Sequence, residues 1–104
     1  MKKLTDLAHI IRSKNAGPFE LTLDILFRRE EDYLAIRDRK LIAPEEIARR
    51  YGIDVDAVSA VIYFTPARAV KIVLARPCPS GSPGDTDVYG AQQHAPLLDM
   101  EIDL

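Results

Sequence analysis

Two stretches of the chain concentrate side chains that could do chemistry. The longer is Arg76 to Pro96, RPCPSGSPGDTDVYGAQQHAP, set between the apolar runs VKIVLA and PLLDMEI. Its Gly and Pro content is too high for a helix and too irregular for a strand. A loop of that length without its own secondary structure is usually functional or disordered. Flexible linkers are typically Gly/Ser-rich or repetitively charged, whereas this segment mixes acids, amides, an imidazole and a phenol. We therefore read a site here. His94, whose unperturbed pKa lies near 6.5, and Asp87 are the candidate catalytic groups. Ser82, Asp85, Tyr89, Gln92 and Gln93 are candidate ligand-binding residues. Asp85, Asp87 and His94 also offer oxygen and nitrogen donors to a divalent metal. Turn aspartates more simply accept loop N–H groups, and no metal or other cofactor is assigned.

The second stretch is Arg12, Ser13, Lys14 and Asn15, at the head of RSKNAGP. Two cations, a hydroxyl and an amide around a turn suit a carboxylate or phosphate, because Arg donates as a fork and turn amides form an anion nest. The competing reading pairs Arg12 internally with Asp24, Asp85 or Asp87. The loop and this turn are expected to meet at one end of a sheet, with Arg12 reaching Asp85 or Asp87. GSPGD lacks the spacing and the Lys-Ser/Thr pair of a Walker phosphate loop.

Composition bounds the rest. A chain of 104 residues supports one domain, residues 1–104, with a single core. A formal net charge of −2 argues against nonspecific nucleic-acid binding, which is driven by phosphate neutralisation. Residues 1–76 nevertheless hold all 14 Lys and Arg against 11 acids, whereas residues 77–104 hold five acids and no base. The single cysteine, Cys78, forms no internal disulfide and excludes a multi-cysteine zinc site within the chain; it reads as a small loop side chain. Asp6, His9 and Arg12 interrupt the N-terminal apolar residues, so no signal peptide is read. No segment approaches the ~20 apolar residues of a membrane helix. The expectation is a cytoplasmic protein with neither a membrane nor a nucleic-acid partner.

The elements that must position these groups follow in order. Leu4 to Arg12 reads as a strand after a short turn, with His9 packed in it. Phe19 to Phe27, FELTLDILF, alternates over nine residues: Phe19, Leu21, Leu23, Ile25 and Phe27 share one face, while Glu20, Thr22 and Asp24 share the other. With the Gly-Pro turn between them, these two make a hairpin. Arg29 to Arg39 is helical, with Tyr33, Ile36 and Leu34 inward. Pro44 opens a second helix that Gly52 stops, with Ile47, Ala48 and Tyr51 as its buried stripe. Its glutamates and Arg49/Arg50 form a solvated face with i,i+4 pairs. VSAVIYF, Val58 to Phe64, is a strand. The stretch after Thr65-Pro66 reads either as a capped helix or as one turn followed by a strand AVKIVLA. The β-branched alternation of Val70 and Ile72 favours the strand. LLDMEIDL alternates through Leu98, Met100 and Ile102 as a terminal strand. The architecture is α+β: a ferredoxin-like sheet, split β-α-β in type, with two short helices on one face and a long functional loop before the last strand.

IIRSKNAGPFELTLDILF, the Tyr51-Gly52 pair and above all PSGSPGDTDVYGAQQHAPLLDMEI resemble a small bacterial and archaeal family, the domain-of-unknown-function family 4387. Members of that family are similar, more distantly, to the ferredoxin-like domain of acyclic-terpene-utilisation-like proteins, and are often encoded beside such proteins. The corresponding turn in the larger family reads roughly Arg-Ser-Gly-Asp-Lys-Gly. Arg12 and Ser13 match it, Lys14 to Gly17 do not, and no role of its Asp carries over. The resemblance implies a small accessory subunit, completing the active site of a larger catabolic enzyme of hydratase or lyase type acting on carboxylic acids or acyl thioesters. That larger acyclic-terpene-utilisation-like protein would be its partner. Short strands whose edges need covering predict a homo-oligomer or a heteromer with it, and the cations of Arg12 to Asn15 predict an anionic small molecule as ligand. The other reading is a non-catalytic domain that binds a ligand or partner for regulation. A stand-alone enzyme is disfavoured, because no nucleophile-base arrangement is recognisable.

Overall fold

A computed structural model describes residues 1–15, 20–75 and 95–104 of the protein. Period-two alternation builds its centre. Glu20–Phe27 forms a strand, β3, that sends Leu21, Leu23, Ile25 and Phe27 to one side, each no more than 4% exposed. Ala69–Ala75, β5, sends Val70, Ile72 and Leu74 to that same side. The fork after Thr65 resolves to the strand. Thr65–Ala67 makes one 3-10 turn, and Arg68 follows in the left-handed region at φ 51°. Its N–H donates to the Thr65 carbonyl at 3.0 Å, and its own carbonyl accepts from the Phe27 N–H at 2.9 Å.

The four-stranded sheet is antiparallel throughout, in the order β2-β3-β5-β4, where β2 is Ala8–Asn15 and β4 is Val58–Phe64. Because β3 and β4 are both antiparallel to β5, they run parallel to each other, with β5 between them. The connection from β3 to β4 carries two helices, α2 (Glu30–Arg39) and α3 (Pro44–Tyr51). This is the split β-α-β arrangement, consistent with a ferredoxin-like α+β fold.

Both helices begin with acids and end with arginines, which suits the helix dipole. Each stops in a left-handed residue, Lys40 at φ 51° and Gly52 at φ 64°. The following amides close the end: Leu41 N–H to Ile36 O, and Ile53 N–H to Ala48 O, both at 3.0 Å. Gly adopts that conformation without strain, whereas Lys40 does so against the preference of its Cβ. Tyr33, Ile36 and Ile47 are fully buried and join the inward face of the sheet in one cluster. The Tyr33 hydroxyl lies 3.0 Å from Thr65 Oγ1, which also accepts from Arg37 Nη1 at 3.2 Å.

The ends of the described chain differ from the alternation pattern. Leu4–Leu7 is a helical turn, α1, not a strand, because Leu4 and Leu7 must both face the core one turn apart. His9 is exposed rather than packed, at an irregularity between Ala8 and Ile10 in the pairing of β2 with β3. The terminal strand shrinks to Glu101–Ile102, β6, which pairs with Lys2–Lys3, β1. A 3-10 turn, Ala95–Leu97, precedes it and buries Leu97, leaving Leu98 41% exposed. Met100 and Ile102 are buried as the alternation requires.

The inward face of β3 and β5 is thus the core. Truncating Ile72 to Ala should cost roughly 2–5 kcal/mol in denaturant unfolding. Val55→Ala, at a side chain on the surface, should stay within about 0.5 kcal/mol.

Candidate functional site

The four residues expected around a turn are the last half of a strand. Arg12 pairs across to Asp24, Ser13 to Leu23, Lys14 to Thr22 and Asn15 to Leu21. Strand alternation therefore divides them. Ser13 shares the face of Leu23 and is 8% exposed, on the helix side. Arg12 and Lys14 project from the opposite face and are exposed. The hydroxyl and amide of the expected anion cluster accordingly do not point where its two cations point.

Those cations have other company. Asp24 is the cross-strand neighbour of Lys71, and Lys71 of Ile62, so one row across the sheet reads Arg12, Asp24, Lys71, Ile62. Arg12 Nε donates to Asp24 Oδ2 at 3.3 Å; the two side chains are 60% and 16% exposed. Of the internal partners expected for Arg12, the described residues show Asp24. In the next row Lys14 faces Thr22, whose hydroxyl donates to the Lys14 carbonyl at 3.3 Å. Among the described residues this face carries Arg12, Lys14 and Lys71 beside Asp24 and Glu20, a local positive excess on an acidic chain. Ile10, Leu26 and Val73 lie on it as well, and none belongs to the core cluster.

Pairing also fixes where the chain leaves this sheet. Asn15 precedes residues 16–19, and Glu20 follows them. Glu20 is the cross-strand neighbour of Ala75, after which residues 76–94 begin. Both segments thus depart from the same sheet end, one row beyond Lys14 and Thr22. The candidate residues Ser82, Asp85, Asp87, Tyr89, Gln92, Gln93 and His94 lie outside the described residues, as does Cys78. The chain is described again at Ala95, and Arg50 holds this point: its Nη1 donates to the Pro96 carbonyl at 3.4 Å, and its Nε to Glu46 Oε1 at 2.8 Å. Glu46 also receives Arg49 Nη2 at 2.6 Å. The helix face expected to be solvated, with i,i+4 pairs, therefore also clamps the chain at Pro96.

A second feature was not legible in the sequence. A cleft of about 360 Å³ opens between the inward side of β4 and the α2–α3 connection, lined by Lys40, Ile42, Ala43, Pro44, Glu45, Val61 and Tyr63. Burial, and the neighbouring Tyr33, push the Tyr63 phenol above its ordinary pKa. Such a cleft suits an apolar side chain. Among the described residues no group of three His, Cys, Asp or Glu is placed to hold a metal ion. No described helix is long and apolar enough to cross a membrane.

Fold and geometry define an α+β domain whose sheet is packed by helices on one face and carries a charged row on the other. The chain belongs to the family described as Domain of unknown function (DUF4387), whose model matches residues 4–101. No curated protein and no solved structure matches it.

The clamp has a pH signature. The hydrogen bond from Arg49, joined by that from Arg50, holds the Glu46 carboxyl below its ordinary pKa of 4.5 against the opposing effect of burial. A depressed folded pKa stabilises above the unfolded value and is lost as pH falls through the folded one. Glu46→Gln should therefore lower the unfolding midpoint at pH 7. The gap from wild type should close as pH is brought well below 4.5, in thermal melts at matched ionic strength.

Proposed function

We propose that this chain is a small accessory subunit that completes or supports the active site of a larger catabolic enzyme. That enzyme acts on carboxylic acids or acyl thioesters by hydratase or lyase chemistry. The observation that carries the reading is the row of Arg12, Asp24 and Lys71, with Lys14 beside it, on the sheet face the described helices do not pack. Cations held on paired strands, partly offset by Asp24 and Glu20, suit an anionic group that competes for the arginine. The sequence holds no recognisable nucleophile-base arrangement, which favours a contribution to another protein's chemistry over independent turnover. The partner is an acyclic-terpene-utilisation-like protein, in keeping with the resemblance of the family to that type, and the work is cytoplasmic. His94 and Asp87 are the proposed catalytic contributions of the long segment. Ser82, Asp85, Tyr89, Gln92 and Gln93 are its proposed ligand contacts.

Reconstitution tests this directly. An acyclic-terpene-utilisation-like protein from the same source should co-purify with this chain and lose turnover when the chain is withheld. Arg12→Ala should lower acid or thioester turnover by about tenfold or more, in line with the loss of one charge-assisted contact. Its unfolding midpoint should change little, because exposed ion pairs contribute only ~0–1 kcal/mol. Turnover that is the same with and without this chain would leave only the regulatory reading.

A further inference from the structure

The two edges of the four-stranded sheet are built differently. Edge strand β2 carries Arg12 and Lys14 and an irregularity beside exposed His9. Charges and bulges of this kind discourage the addition of another strand. Edge strand β4, VSAVIYF, contains no charged residue and no proline. Its one irregularity lies between Val58 and Ala60, so Ala60 to Phe64 is regular. On that stretch Ile62 is 47% and Phe64 56% exposed, among the most exposed large apolar side chains of the described residues. The ladder of β4 is satisfied on its β5 side, and no described strand pairs with the other.

We propose that a second copy of this chain adds to β4 across a two-fold axis, antiparallel, joining two four-stranded sheets into one. Three constraints select this occupant. A β4–β4 contact is the same patch on both copies and closes after two, whereas β4 on β2 is a head-to-tail contact that closes only if its rotation completes a ring. Charge favours it too: two β4 strands bring no charged residues face to face, whereas β2 paired on itself about Arg12, Ser13 or Lys14 would set cation against cation. The third constraint is register. The regular stretch Ala60–Phe64 overlaps its counterpart fully only when Ile62 lies on the axis. Ile62 then meets Ile62 of the second copy, and each Phe64 meets an Ala60, large against small. On the inward side each Val61 faces a Tyr63 of the second copy. Both line the cleft of about 360 Å³ beside β4, so the paired strand brings apolar side chains to the mouth of that cleft. The proposal concerns the isolated chain, and its failure would not touch the accessory-subunit reading.

The full chain should sediment as a dimer at micromolar concentration. Ile62→Lys should weaken the dimer at least 100-fold while retaining the wild-type circular dichroism, and Arg12→Ala should leave it intact. In a Cys78→Ser background, Ile62→Cys should oxidise to a disulfide-linked dimer, because residues directly opposite in an antiparallel pair have Cβ atoms about 4.5–5.5 Å apart. Val55→Cys, exposed elsewhere, should not. The cross-link decides the matter should Ile62→Lys fail to fold. A monomer at all concentrations, a dimer indifferent to Ile62→Lys, or a dimer without the cross-link would overturn the proposal. So would β4 protection that arises only with a different protein.

Discussion

Burial of one face of the β3–β5 pair beneath α2 and α3 is the interaction on which the rest of the structure depends. Leu21, Leu23, Ile25 and Phe27 from one strand, and Val70, Ile72 and Leu74 from the other, share a single cluster with Tyr33, Ile36 and Ile47. At roughly 25 cal/mol per Å² of apolar surface buried, such a layer outweighs any surface ion pair in the molecule. Once that face is committed, period-two geometry dictates the other. Asp24 and Lys71 must point away from the helices, and Arg12 follows because it is paired with Asp24. The charged row is a consequence of core burial, which is why it is held on strands rather than on a loop.

Helix placement settles the remaining surfaces. Two helices within the β3–β4 connection pack the inward face yet stop short of closing the space beside β4, leaving the cleft. The stop is abrupt, since Lys40 takes a left-handed conformation and the chain turns through Leu41 and Ile42 before Pro44 restarts a helix. Arg50, at the far end of that helix, contacts the Pro96 carbonyl and so ties the chain at that point to the same layer. Core, clamp and cleft therefore share one short pair of helices.

Much of this was legible in the sequence where a local rule decides the outcome. The alternation of FELTLDILF, the Pro44 and Gly52 boundaries, and the β-branched residues of AVKIVLA each led to the observed element. Legibility ended where pairing partners decide. Arg12 to Asn15 have turn-like composition, but pairing with Leu21 to Asp24 extends them as strand and splits their side chains between two faces. The last strand alternates well, yet it reaches only as far as its two-residue partner, Lys2–Lys3. The adjacency of Asp24 and Lys71 is a matter of register, which no single stretch encodes. The cleft depends on the gap between two helices and an edge strand, and Lys40 gave no signal of its left-handed turn.

The central claim is that the face bearing Arg12, Asp24 and Lys71 is the one that meets an anionic ligand. The most direct test is an amide-resolved NMR titration of the isolated chain with a short-chain carboxylic acid and its thioester, carried to roughly millimolar concentration. Saturable shifts centred on Arg12, Lys14, Asp24 and Lys71, lost in Arg12→Ala, are the predicted result. Shifts confined to α2, α3 and the cleft, or none that saturate, would contradict it.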